Sequence, residues 1–142
     1  MGYDFFKPKP GRFGVMPVAL TIRPTFGTLA AGTVAHYVGS FPRKCVVSGI
    51  SIGATTFPTA ATSIVATLQK KPSGSAVNLT SGININAQTA GASVTGTILS
   101  TATDSQLTLN PGESLLLSVV TTGAVSVQPS DLMVTVEVLV QE

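Results

Sequence analysis

An all-β fold, an antiparallel two-sheet sandwich of jelly-roll-like type with an extended N-terminal arm, follows from three observations on this 142-residue sequence. In Leu132-Met-Val-Thr-Val-Glu-Val-Leu-Val140 the even positions Leu132, Val134, Val136, Val138 and Val140 are apolar, while Thr135 and Glu137 fall on odd ones. That period of two marks a strand with one buried face. Asn110-Pro-Gly-Glu113 sets a tight turn, because Pro111 fixes φ near −65° and Gly112 accepts positive φ. The runs Leu107-Thr-Leu109 and Leu115 to Thr122 on either side are therefore expected to lie close together. Finally, about eight short apolar runs are separated by Gly, Pro, Asn or Ser clusters, and no long amphipathic stretch has a helical period.

In chain order, residues 1–14 form the arm and residues 15–142 one sandwich domain. The arm, MGYDFFKPKPGRFG, cannot be helical across Pro8 and Pro10, whose spacing favours extended backbone. Its aromatics are costly to leave in water. It is expected to dock on a partner or a neighbouring subunit, with Phe5 and Phe6 as apolar anchors, Lys7, Lys9 and Arg12 as a charged rim, and Tyr3 and Phe13 in the same contact. The alternative is that it folds back on its own sandwich. Val15 to Arg23 is a first strand that Pro17 confines to an edge or a strand beginning, with Val18, Leu20 and Ile22 sharing a face.

Pro24-Thr-Phe-Gly27 is a turn, Leu29 to Val38 holds a short strand, and Gly39-Ser-Phe-Pro42 breaks the pattern. Arg43 to Ala54 is a strong strand with Val46, Ile50 and Ile52 in phase. Phe57 to Thr62 is a loop, and Ser63 to Lys70 alternates Ile64, Ala66 and Leu68 against Ser63, Thr67 and Gln69. Between Pro72 and Thr103, Val77-Asn-Leu79 and Ile83-Asn-Ile85 alternate briefly amid Ser, Gly, Ala and Thr, so short strands and loops are both open. Ile98-Leu99 is expected to begin a strand whose pairing continues into Leu107. Gly123 is expected to bend a hairpin back through Val125 to Val127, and Pro129-Ser-Asp131 leads into the last strand.

Apolar residues make up 44% of the chain, enough for one continuous core, but charged residues only 10%, against roughly 25% in an average soluble domain. A surface so weakly charged is poorly protected against association, so much of it is expected to be covered in an assembly; the alternative is a monomeric Thr-rich β domain. The charge is also segregated. Eight basic residues and one acid, Asp4, lie in residues 1–71, a formal +7, whereas residues 72–142 hold five acids and no base, a formal −5. This suggests a basic arm meeting an acidic partner surface, or the acidic half of another copy, as against a solvated scatter of lysines. Lys70-Lys71 is read as a solvated strand end.

Cys45 is the sole cysteine, which rules out an internal disulfide or a Cys-based metal cluster. Val15 to Leu20 is too short, and interrupted by Pro17, for a secretion signal, and no run approaches the roughly 18–20 apolar residues of a membrane helix. Cytosolic synthesis without a membrane partner is the expectation.

No enzyme and no cofactor are expected. His36, the only histidine, leaves no His-rich metal site, and pairing it with Cys45 as base and nucleophile is disfavoured because both stand in apolar strands. The carboxylates are scattered, phosphate loops of the GxxxxGK[ST] or GxGxxG type are missing, and there is no Asp-x-Asp cluster for calcium. Three cations in the arm are too few for a nucleic-acid track. Asn78-Leu-Thr80 matches a glycosylation sequon of the kind that Asn/Thr-rich sequence produces by chance.

The low charge, the Ser/Thr/Ala/Gly-rich alternating strands, the Leu109-Asn-Pro-Gly-Glu-Ser-Leu115 turn before an apolar run and the N-terminal arm resemble small jelly-roll decoration (cement) proteins on the heads of tailed bacteriophages. The resemblance covers roughly Cys45 to Val140. It implies a non-enzymatic virion protein on the outer capsid surface, made in the host cytoplasm, assembling as a homotrimer and stabilising the shell through the major capsid protein. It also implies that the arm contacts the shell or a neighbour. A rival is a receptor- or glycan-binding module of a fibre, spike or tail, in which Tyr3, Tyr37, Asn84 or Asn86 would contact sugars, although the lack of Trp weighs against it.

Overall fold

The computed structural model describes residues 15–23, 28–72 and 74–141; the expected arm and the expected turn at Pro24 lie outside them. The strands are β1 (Val15–Ile22), β2 (Gly32–Ser40), β3 (Cys45–Gly53), β4 (Thr59–Ala60), β5 (Ser63–Lys71), β6 (Val77–Asn78), β7 (Ile83–Asn84), β8 (Ser93–Thr95), β9 (Thr108–Leu109), β10 (Ser114–Thr122), β11 (Val125–Val127) and β12 (Met133–Gln141). One helical turn, α1 (Asp104–Leu107), precedes β9.

Two antiparallel sheets pack face to face. The first has the order β1-β12-β3-β8, with β9 also on β3; the second has the order β2-β10-β5-β6, with β7 also on β5. The chain passes from β1 in the first sheet to β2 in the second and to β3 in the first, then through β5 to β7 in the second. It returns through β8 and β9 to the first, crosses to β10 and ends on β12. This is the double-sheet winding of a jelly roll, as expected.

The core follows from strand alternation. In β12, Val134, Val136 and Val138 are fully buried along with the preceding Leu132, as the sequence period requires. In β5, Ile64, Ala66 and Leu68 face them, and β10 adds Leu115, Leu117 and Val119. Each such Val, Leu or Ile side chain taken from water contributes about 1.5–3 kcal/mol. Strand β1 pairs only with β12, so Pro17 stands on an edge strand, where its missing N–H is tolerated.

Several expectations need correction. In β3 the buried residues are Cys45, Val47, Ile50 and Ile52, while Val46 lies half-buried on the opposite face. Glu137 pairs with Gly49 and Val138 with Val47, so Ser48 is an extra residue, and this bulge reverses the alternation within the strand.

Gly123 does bend the chain, with φ +87°, but no hairpin follows. Both edges of β10 are already occupied, by β2 and β5, so Val125–Val127 pairs instead with Thr59–Ala60. The expected loop from Phe57 to Thr62 therefore contains a strand, and Phe57 and Ala60 are buried in the core. Ile98 makes an isolated bridge to Thr80 rather than starting a strand. Leu107 ends α1, whose start is a capping box: the Thr103 hydroxyl accepts from the Gln106 N–H, and the Gln106 side chain accepts from the Thr103 N–H.

The Asn110 turn forms as expected, with the Glu113 N–H donating to the Asn110 carbonyl at 3.0 Å and Gly112 at φ +87°, the pattern of a type II turn. Its strands lie in different sheets: β9 pairs with β3, and β10 with β2 and β5. The turn carries the chain across the sandwich.

Candidate interaction site

All seven residues singled out in the arm, Tyr3, Phe5, Phe6, Lys7, Lys9, Arg12 and Phe13, lie outside the described residues. The structure does fix where the arm joins the sandwich. Val15 pairs with Gln141, Cys45 with Val140 and with Leu109, and Ser114 with Ser40 and with Lys71. The start of β1 thus belongs to the same end of the sandwich as the starts of β3 and β10 and the ends of β2, β5 and β12.

Four of the five described basic residues, Arg43, Lys44, Lys70 and Lys71, gather at this end; Arg23 lies at the other. Arg43, Lys44 and Lys71 are exposed, and among the described residues none of the three has an ion-pair partner. Glu113 and the exposed Asp104 at the start of α1 lie at the same end, so the segregation seen along the sequence is only partly kept in space and leaves a weakly basic pole where the arm joins. Sequence reading missed the contribution of Arg43 and Lys44, which it absorbed into a strand; they precede β3 as an exposed pair.

Lys70 corrects the reading of Lys70-Lys71 as a solvated strand end, for only Lys71 is exposed. Lys70 is 7% exposed, because it continues the inward phase of Ile64, Ala66 and Leu68. Its Nζ donates to the Thr108 carbonyl at 2.6 Å and the Ser105 carbonyl at 3.2 Å, and lies 3.0 Å from Glu113 Oε2. Burial acts to raise the Glu113 pKa, but the Asn110 N–H, which donates to Oε2 at 2.9 Å, and the Lys70 ammonium outweigh it and hold the carboxyl below its ordinary value. Lys70 thereby ties β5 to the crossing turn and to the end of α1, a structural part.

The remaining candidates for chemistry are dispersed. Cys45 is fully buried on β3, and desolvation raises its thiol pKa, which keeps it protonated and unreactive. His36 lies on β2, in the opposite sheet. A groove of about 550 Å³ is lined in part by Ser51, Thr55, Ser93 and Thr135, with Arg23 and Asp131 at 3.7 Å from one another. Both of these charged side chains are more than half exposed, so their attraction is weak.

Among the described residues no group of three or more His, Cys, Asp and Glu is placed to hold a metal, and no helix is long and apolar enough to cross a membrane. Asn86, a candidate sugar contact, is spent internally: its Oδ1 accepts from the Ala60 N–H at 2.7 Å and its Nδ2 donates to the Ala60 carbonyl. Asn84 Oδ1 accepts from the Asn86 N–H. Tyr37, by contrast, is 60% exposed, its hydroxyl donating to Ser40 Oγ.

No protein-family model and no curated protein matches this chain. Among solved structures, a chain described as "Capsid of Ralstonia phage GP4" is similar in fold, with a TM-score of 0.56 at 15% sequence identity. The correspondence covers 95% of this chain and 90% of that one.

Proposed function

We propose that this chain is a non-enzymatic structural protein of a phage virion, a decoration (cement) protein that binds the outer surface of the head and stabilises the shell as a homo-oligomer, a trimer in this reading. The observation that carries the proposal is the near end-to-end correspondence of its jelly roll with a chain from a phage capsid. At that level of identity the likeness concerns fold, and the reading adds to it the weakly charged surface and the basic pole.

The mechanism needs no reacting group. Arg43, Lys44 and Lys71 would steer the basic end toward an acidic surface of the major capsid protein. The arm that leaves from this end would then dock Tyr3, Phe5, Phe6 and Phe13 in apolar sites, with Lys7, Lys9 and Arg12 at the rim. Several copies held in one oligomer bind several shell subunits at once, so individually weak contacts give high avidity and tie the subunits together.

Sedimentation of the full chain with phage heads lacking their outer protein tests this. The chain is expected to pellet with the heads saturably and less tightly as salt rises. The double substitution Phe5→Ser/Phe6→Ser is expected to weaken pelleting at least tenfold. A wild-type chain that stays in the supernatant at every head concentration would refute the proposal, and unchanged pelleting of the double variant would remove the arm from it.

A further inference from the structure

The groove beside Arg23 and Asp131 lies on the outer face of the first sheet, at the end opposite the root of the arm. Ile50, Ile52, Val134 and Val136 face the core, so Ser51, Gly53, Met133 and Thr135 face outward. The register sets two rows across the sheet. Met133-Gly53-Ser93 has a glycine between two side chains, which leaves a low floor where a ligand can approach the backbone. Beside it runs Thr21-Thr135-Ser51-Thr95, one hydroxyl on each of four adjacent strands, β1, β12, β3 and β8. Ala54 and Gly91 line one side, tied by the Gly91 N–H, which donates to the Ala54 carbonyl at 3.0 Å.

The rim is built with care. Asp131 has φ +51°, a left-handed backbone that glycine adopts without cost and other residues do not. The residue before it is pinned: the Ser130 carbonyl accepts from the Thr55 N–H at 3.1 Å and the Thr56 N–H at 3.3 Å, and the Ser130 N–H donates to the Thr56 carbonyl at 3.0 Å. The fold therefore holds a carboxylate at the groove where a glycine would be less strained. Arg23 lies 3.7 Å from it, beyond hydrogen-bonding range, so neither group is spent on the other.

The lining selects a class of ligand. The charges of Arg23 and Asp131 cancel, so neither anions nor cations are favoured, and one carboxylate is too few for a metal ion. Met133 is the one large apolar side chain and, among the described residues, no aromatic ring lines the groove, so a purely apolar ligand gains little. Hydrogen bonding is what the groove offers. Among the described residues, Ser51, Thr55 and Ser93 spend their hydroxyls on no partner, while Thr135 shares one hydrogen bond with Thr21 at 3.0 Å. Each hydroxyl donates once and accepts twice. A guanidinium presents paired donors and a carboxylate paired acceptors, the complement of adjacent ring hydroxyls, which both donate and accept. A volume of about 550 Å³ is within the range of small-molecule sites.

From these observations we infer that the groove binds a saccharide, with adjacent hydroxyls of one ring held by Arg23 and Asp131 and the ring lying over Gly53 against Ser51 and Ser93. Without an aromatic ring to stack on, a single site is weak, and many copies on one surface bind a polysaccharide through avidity. The length of β12 from Met133 to Val140, about 23 Å, separates the groove from the root of the arm. With the arm's end on the shell, the groove faces away from it, toward glycans of a cell surface. That orientation rests on the decoration reading above; the binding does not.

Amide NMR spectra of the labelled full chain test it, with glucose, galactose, mannose, rhamnose and N-acetylglucosamine titrated one at a time and inorganic phosphate as the anion control. At least one sugar is expected to shift the amides of Gly53, Ala54, Gly91 and Ser93 saturably, with a dissociation constant in the millimolar range, and phosphate is expected to leave them in place. Asp131→Gly removes the carboxylate and the backbone strain together, so it is expected to fold at least as stably as wild type and to bind at least tenfold more weakly. Ser51→Val, a residue that a strand accepts, is expected to weaken binding as much by putting methyl groups in place of the hydroxyl. Should either variant fail to fold by circular dichroism, Arg23→Gln replaces it. Amides unmoved by all five sugars, phosphate shifting them in place of sugar, or folded variants that titrate like wild type would overturn the inference. No phage heads are present in these titrations, so a chain that binds sugar but fails to pellet with heads refutes the decoration reading and leaves the groove standing.

Discussion

Lys70 holds an ammonium group where little water reaches it, and three oxygens make that tolerable: the carbonyls of Thr108 and Ser105 and the carboxylate of Glu113. Removing one partner of a buried pair costs far more than the pair itself contributes, because the other is left without compensation. Lys70→Ala is therefore expected to lower the unfolding free energy by about 3 kcal/mol in urea titrations, whereas Lys71→Ala, at an exposed position, should stay within about 0.5 kcal/mol of wild type. Glu113 adds a pH dependence. Its folded pKa lies below the ordinary 4.5, so its contribution is complete above that value and is lost as pH falls through the folded pKa. Between about pH 6 and pH 3 the wild type is expected to lose more stability than Glu113→Gln; parallel pH profiles for the two would contradict this.

At the scale of elements, what was legible in the sequence depended on unbroken period. Strands β5 and β12 alternate without interruption, and Ile64, Ala66, Leu68, Val134, Val136 and Val138 are buried as their spacing requires. The inward place of Lys70 was legible by the same rule, two residues beyond Leu68; its charge argued the other way, and the oxygens that satisfy it come from residues 35 to 43 positions further on. Strand β3 was misread because a bulge at Ser48 leaves no mark in composition, and a strict period then selects Val46 in place of Cys45 and Val47. Strands of two residues, such as β4, have no period to read. The false hairpin at Gly123 reflects a global fact, the occupation of both edges of β10, that no local pattern encodes. The capping pair Thr103 and Gln106 was visible in sequence as a Thr-x-x-Gln signature and marks the one helical turn described. The bulge supports a sharp prediction. Ser48→Ala should cost less than about 1 kcal/mol, and deleting Ser48, the extra residue, should leave Val47 opposite Val138 and Cys45 opposite Val140, both still facing the core, so that denaturation keeps a single cooperative transition; loss of that transition would contradict the bulge.

For the whole molecule, function is legible only as far as surfaces are. The sequence pointed to a weakly charged chain with a segregated basic arm, and the fold gives the charge a place, a weakly basic pole at the root of the arm. In the proposed reading, the seat of the arm is a partner surface that this chain does not encode. A protein that cements a shell must bind the assembled head more tightly than its dissociated subunits, and such binding raises the stability of the assembly by mass action. Differential scanning calorimetry of phage heads, lacking their outer protein and then saturated with the purified chain, tests this most directly. The shell transition is expected to move up by several degrees, to saturate at a fixed ratio of chain to capsid subunit, and to return toward the bare-head value with Phe5→Ser/Phe6→Ser. A transition unmoved by saturating chain would contradict the cement function.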